Sequence, residues 1–163
     1  MIYWVYGQPG SGKTTLAKEL VYHLDNDLIG NQIRGPYKTV HIDGDGLREI
    51  FNNKDYSKEG RIKNISTAIS IARFLANKNY ICILSIVAPY RFLRDELKTE
   101  FDFLEIYLHT TEIRGRENFF AKDYEVPIDK KTLKLDTGKL TIKECTNEIL
   151  NVYRKMAAMA QRS

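Results

Sequence analysis

Apolar residues along this chain recur with two different periods, and the switches between them mark out its elements. Ile2 to Tyr6 is an unbroken apolar and aromatic run that stops at a Gly-rich stretch, which predicts a buried strand. From Lys13 to Leu24 the period changes. Leu16, Leu20 and Leu24 recur at steps of four with Ala17 and Val21 beside them, the stripe of an amphipathic helix. Asp25 to Lys38, with Gly30, Gly35 and Pro36, predicts an irregular surface connection, and Thr39 to Ile42 a short second strand. Ser57 to about Lys78 predicts a longer helix, with Ile62, Ile65, Ile69, Ala72 and Ala76 alternating at steps of three and four along one face. Tyr80 to Val87 is nearly all apolar and stops before Pro89, as expected of a parallel strand covered on both faces, and it predicts the middle of the sheet. Phe103 to Leu108 and Leu133 to Leu135 predict further strands. Thr141 and Glu144 have the spacing of a capping box, which opens a last helix carrying Ile142, Cys145, Ile149, Val152 and Met156 on its inner face.

This alternation of strand and helix predicts an α/β fold of three layers, a mostly parallel five-stranded sheet flanked by helices. At 163 residues the chain has the length of one domain, 1–163. Hydrophobic residues at 43% and charged residues at 28% exclude a disordered chain. No stretch approaches the roughly 18 apolar residues of a membrane span and Met1 to Tyr6 has no signal-peptide pattern, so a cytoplasmic protein without a membrane partner is expected. Cys82 and Cys145 lack any CxxC or Cys/His ligand spacing, which predicts buried thiols. The net charge of +4 suits phosphate-bearing ligands and equally suits an ordinary surface.

Gly7-Gln8-Pro9-Gly10-Ser11-Gly12-Lys13-Thr14 fits the phosphate-loop pattern GxxxxGK[ST] and lies between a predicted strand and a predicted helix, the context that pattern requires. Gly7, Gly10 and Gly12 permit backbone conformations that let N–H groups converge on phosphate oxygens at a helix N-terminus, with Ser11 and Thr15 completing the nucleotide-binding segment. Lys13 is placed to bridge the β- and γ-phosphates, and the Thr14 hydroxyl to ligate Mg²⁺. The fold class is thereby a P-loop NTPase, with ATP and Mg²⁺ as expected cofactors. A guanine-reading Asn-Lys-x-Asp segment is missing, since Asn53-Lys54-Asp55 has the wrong spacing, which favours adenine.

Val40-His41-Ile42-Asp43-Gly44-Asp45 puts two carboxylates at a strand end beside that loop. Asp43 suits the base that orients an acceptor hydroxyl, and Asp45 the carboxylate that holds metal-bound water; both could instead cap the next helix. Arg61 and Asn64, three apart on a helix, share a face that could point into the cleft. Arg91 and Arg94 follow the Tyr80 strand, where guanidinium forks suit phosphate or sulfate oxygens; each could also be surface charge. The histidines, His41 included, are expected to pack or to lie at the surface.

In order, the chain shows Gly-x-x-Gly-Ser-Gly-Lys-Thr-Thr-Leu-Ala, Asp43-Gly44-Asp45-x-x-Arg48, Tyr56-Ser57, Arg61-x-x-Asn64, Ala88-Pro89-Tyr90-Arg91-x-x-Arg94, Arg116-Glu117, Asp123-Tyr124-Glu125 and Leu135-Asp136-Thr137. Over nearly its whole length it resembles the adenylyl-sulfate kinase family, whose members use ATP to phosphorylate the 3′-hydroxyl of adenosine 5′-phosphosulfate in sulfate assimilation. The resemblance implies that Arg48, Arg61 and Asn64 hold the phosphosulfate nucleotide, that Asp43 and Arg91 face it, and that Tyr56 stacks on its adenine. It also implies Arg116 at the bound ATP and a short lid over about 112–130, in which Phe120 is a second stacking aromatic and Lys122 a lid lysine. Two features depart from the family pattern: Val87-Ala88-Pro89 stands where Ile-Ser-Pro is usual, leaving Ala88 in the acceptor pocket without a hydroxyl, and the stretch after Arg116-Glu117 is shorter. These departures keep open a related kinase acting on a nucleoside, a sugar or a nucleic-acid end, and, as a different class, a nucleotide-dependent binding or switch module. The expected partner is a small-molecule nucleotide, and the resemblance implies a homodimer.

Overall fold

The computed structural model describes residues 1–26 and 38–160, so most of the connection expected between Asp25 and Lys38 lies outside the described residues. In chain order the elements are β1 (Ile2–Tyr6), α1 (Lys13–Asp25), β2 (Thr39–Asp43), α2 (Gly44–Ile50), α3 (Lys58–Ala76), β3 (Ile81–Ile86), α4 (Arg91–Asp95), β4 (Phe103–His109), a 3₁₀ turn (Glu117–Phe119), β5 (Leu133–Asp136) and α5 (Ile142–Ala160). The five strands form one parallel sheet in the order β2-β3-β1-β4-β5. Its middle strand is therefore β1, not the Tyr80–Val87 segment, which forms β3 beside it. Both strands are buried along their full length, so an apolar run marks an interior strand without fixing its rank.

Although β1 has no polar alternation, its residues divide by period two between two cores. Ile2, Trp4 and Tyr6 pack with Ile65, Ile69 and Ala72 of α3 and with Leu93 of α4. Tyr3 and Val5 face the other way, onto Leu16, Ala17 and Leu20 of α1 and Cys145 and Ile149 of α5. Truncating Leu20, which is fully buried, to Ala would cost about 2–5 kcal/mol, because the transfer term and the cavity term add.

Side-chain caps fix where the longer helices begin. Ser57 Oγ accepts the Gly60 N–H at 3.2 Å ahead of α3. At α5 the expected box is complete: Thr141 donates its N–H to Glu144 at 2.8 Å, and Glu144 N–H returns to Thr141 Oγ1 at 3.2 Å. Because every strand runs the same way, the C-terminal ends of β1, β2, β3, β4 and β5 open on one rim of the sheet. Ligands of open α/β sheets bind at such a rim, near the point where the strand order reverses.

Candidate active site

On that rim the loop between β1 and α1 is shaped by its glycines and by its neighbours. Gly7, Gly10 and Gly12 all have positive φ, and a Cβ at Gly7 would run into the carbonyl oxygen of Leu108 on β4. Gly12 is the N-cap of α1 in a left-handed conformation without a side-chain cap, so the first N–H groups of α1 keep their capacity to bind phosphate. Arg114 donates to Gly10 O at 3.1 Å and to Thr137 O at 2.7 Å, while Thr137 Oγ1 donates to Ser11 O at 3.1 Å. These bonds tether the loop to the chain that follows β5.

Lys13, buried to 8% exposure, donates from Nζ to Gln8 O at 2.8 Å. Burial pushes its ammonium down to about 8; Arg116 acts in the same direction and Asp45 and Asp43 oppose it. A cation kept in so dry a place gains a great deal when phosphate oxygens reach it.

Asp43 ends β2 and receives three donors. Thr14 Oγ1 reaches its Oδ1 at 3.1 Å, Ser85 Oγ reaches the same oxygen at 3.0 Å, and the Gly46 N–H reaches Oδ2 at 3.1 Å. The capping role and the cleft-facing role considered for Asp43 are thus both present in one side chain. Ser85 stands directly opposite Asp43 in the β2–β3 ladder, and His41, two residues before Asp43, lies 2.7 Å from Ser85 Oγ through Nε2. Asp45, in the first turn of α2, is exposed and sits 3.7 Å from Arg116.

A cleft of about 480 Å³ joins these groups to a second wall. Arg48 of α2 lies over the Tyr56 ring, 4.3 Å from its centre, and donates to Asp55 O at 2.7 Å. Arg61 of α3 donates to Tyr56 O at 3.0 Å and, across the cleft, to Phe119 O at 2.9 Å. Tyr56 and Phe119 rings are 5.7 Å apart. Asn64 ties α3 to the start of α2 through Gly44 O at 3.0 Å. The segment bearing Phe119 is fastened to the phosphate loop by Gln8, whose amide both donates to Ala121 O at 2.9 Å and accepts from Ala121 N–H at 3.0 Å. An aromatic pair flanked by two guanidinium groups can take a purine face and an anionic tail together.

Of the residues singled out in the sequence, Gly10, Gly12, Lys13, Thr14, Thr15, Asp43, Asp45, Arg48, Tyr56, Arg61, Asn64 and Arg116 line this one cleft. Gly7 and Ser11 support the loop from behind. Five others are not brought to the lining. Ala88 is fully buried and its carbonyl accepts from Arg94 at 2.7 Å. Arg91 is exposed, whereas Arg94, one turn on, faces inward against the Tyr6 ring and Glu105, so the pair does not present two guanidinium groups to the cleft. Phe120 and Lys122 are exposed, and the aromatic of this segment that lines the cleft is Phe119. The 3₁₀ turn has no sequence period by which to choose between neighbouring phenylalanines. Ser85 and Gln8 escaped the sequence reading: one is a lone hydroxyl in an apolar strand, the other a variable position within the loop motif. Arg114 reaches the loop, and His41 reaches Ser85, only through contacts distant in sequence.

Thr14, Ser85, Asp43 and Asp45 present hard oxygen donors that fit magnesium. No cluster of three or more His, Cys, Asp or Glu able to hold a metal occurs among the described residues. No helix among the described residues is long and apolar enough to cross a membrane.

The family model for adenylylsulphate kinase matches residues 1–125, which span the phosphate loop, both carboxylates and the aromatic wall. The probable adenylyl-sulfate kinase of Aeropyrum pernix is 30% identical over 94% of this chain and 92% of its own length. The adenylyl-sulfate kinase of Clostridium kluyveri is 29% identical over 93% of this chain and 82% of its own. In three dimensions the Mycobacterium tuberculosis APS kinase CysC, solved in complex with AMPPNP and APS, superposes with a TM-score of 0.72 at 20% identity, covering 94% of this chain and 96% of that one. With the family model covering well over half of its residues, this chain belongs to the adenylyl-sulfate kinase family.

Proposed function

We propose that this protein, as one catalytic unit, transfers the γ-phosphoryl group of ATP to the 3′-hydroxyl of adenosine 5′-phosphosulfate. The observation that carries the reading is the shared cleft: a phosphate loop on one side, the Arg48–Tyr56–Arg61–Phe119 wall on the other, and Asp43 between them. The names of the Aeropyrum and Clostridium relatives, and the two nucleotides named for the Mycobacterium enzyme, agree with it.

The ATP phosphates rest on the N–H groups after Gly10, and Lys13 turns from Gln8 O to their γ-oxygens, offsetting the charge that builds as the phosphoryl group moves. Thr14 and Asp45 would hold magnesium, which neutralises phosphate charge when bound. Adenylyl sulfate lays its adenine against the Tyr56 and Phe119 rings, with its phosphosulfate within reach of Arg48 and Arg61. Asp43 orients the 3′-hydroxyl and takes its proton as the new O–P bond forms and the bond from the β–γ bridging oxygen to the γ-phosphorus breaks, releasing ADP. Gln8 and Arg61 hold the short lid segment down, limiting access of water.

The test is turnover with ATP and Mg²⁺ on adenylyl sulfate beside a panel of nucleosides, sugars and 5′-hydroxyl oligonucleotides. Adenylyl sulfate is expected to have the highest kcat/KM; a preferred acceptor from the panel would overturn the reading.

A further inference from the structure

We infer that His41, acting through Ser85, is a positioning residue that fixes the orientation of Asp43 and assigns the proton-accepting role to one of its two oxygens. The inference rests on the proposed base role of Asp43 and follows from hydrogen-bond bookkeeping at four side chains. An ionised carboxylate only accepts, so the 3.0 Å contact between Ser85 Oγ and Asp43 Oδ1 uses the single hydrogen of Ser85. Ser85 then has only lone pairs left for His41. The 2.7 Å contact between them must therefore run from a hydrogen on His41 Nε2 to Ser85 Oγ. The chain of donors is directional: His41 to Ser85 to Asp43.

The consequence lies in how the two oxygens of Asp43 are loaded. Oδ1 receives both the Ser85 and the Thr14 hydroxyls, whereas Oδ2 receives only the Gly46 N–H. A carboxylate oxygen has about two lone-pair sites, so Oδ2 is the oxygen with room for the acceptor hydroxyl. If Thr14 turns toward magnesium, Ser85 is the hydroxyl that still holds Oδ1 and keeps Oδ2 aimed. Register supplies the placement. His41 and Asp43 lie two apart on β2 and so on the same face, and Asp43 pairs directly with Ser85 on β3. Without His41 the Ser85 hydroxyl is free to rotate, and the carboxylate loses a fixed anchor.

Ser85→Ala and His41→Leu are each expected to lower kcat about tenfold, the worth of one hydrogen bond to a charged group, with both KM values within about twofold. His41→Gln, whose amide N–H can serve the same hydroxyl, is expected to recover most of the loss. In an Asp43→Asn background His41→Leu should cost nothing further, because its effect passes through Asp43. Imidazole ¹⁵N spectra supply a readout independent of turnover: His41 should be protonated on Nε2, with that signal shifted in Ser85→Ala. A ring protonated on Nδ1 alone overturns the inference, as does a His41→Leu loss that multiplies with that of Asp43→Asn. Undiminished kcat in His41→Leu beside a strong Asp43→Asn defect overturns this inference alone. Near-normal turnover in Asp43→Asn overturns the base assignment and the inference with it.

Discussion

The two walls of the cleft are built by opposite means. The donor wall is one contiguous segment, Gly7 to Thr14, whose shape is set by backbone: three glycines at positive φ, a loop edge pressed on Leu108, and tethers from Arg114 and Thr137. The acceptor wall is assembled from α2, the turn before α3, α3 itself and the 3₁₀ turn. Side-chain contacts hold it, and its two aromatic rings remain about half exposed, Tyr56 at 48% and Phe119 at 47%. A backbone-built site has little freedom to vary, because its groups are covalently ordered. A wall of side chains can change its ligand by exchanging a residue while the sheet beneath stays as it is. Damage to the donor wall should therefore appear in kcat, and damage to the acceptor wall in the acceptor KM.

The sharpest break is Lys13→Ala, which removes the cation facing the transferred group. Turnover should fall about a thousandfold, read as ADP release in the presence of saturating acceptor. Asp43→Asn follows, with a loss of about a hundredfold in kcat while nucleotide affinity, measured by calorimetry, stays within about twofold. On the acceptor side, Tyr56→Ala and Phe119→Ala should each raise the acceptor KM about tenfold through lost base stacking, with kcat little changed, whereas Phe120→Ala should leave both constants unaltered. The smallest effect is in pH. Burial lowers the Lys13 ammonium to about 8 in the free protein, and phosphate binding favours its charged form, so binding takes up a proton above that value. ATP affinity should then weaken as pH rises through about 8, by roughly fivefold over the next unit, and the dependence should vanish in Lys13→Ala.

The same contrast explains what could be read from the sequence. The phosphate loop was legible because its requirements are local: glycines, a lysine and a hydroxyl at fixed spacing between a strand and a helix. Asp43 was legible as a carboxylate at a strand end. Ser85 was not, since a serine inside β3 looks like a neutral interruption until the ladder sets it opposite Asp43. Arg91 and Arg94 were indistinguishable by charge, and only the short α4 turns one outward and the other under Tyr6. Phe119 and Phe120 differ by a single position in a segment without a period, and the choice depends on how Gln8 and Arg61 grip the chain around them. Rank within the sheet was equally hidden, because β1 and β3 are both buried between neighbours and both read as apolar runs.

The central claim is that the donor wall delivers its phosphoryl group to the 3′-hydroxyl of the nucleotide held by the acceptor wall. The most direct measurement follows γ-³²P from ATP in the presence of adenylyl sulfate or of its 3′-deoxy analogue. Label should pass to the 3′ position of adenylyl sulfate and to nothing when the 3′-oxygen is absent. Label appearing in the 3′-deoxy nucleotide, or remaining in ATP with both, would contradict the account.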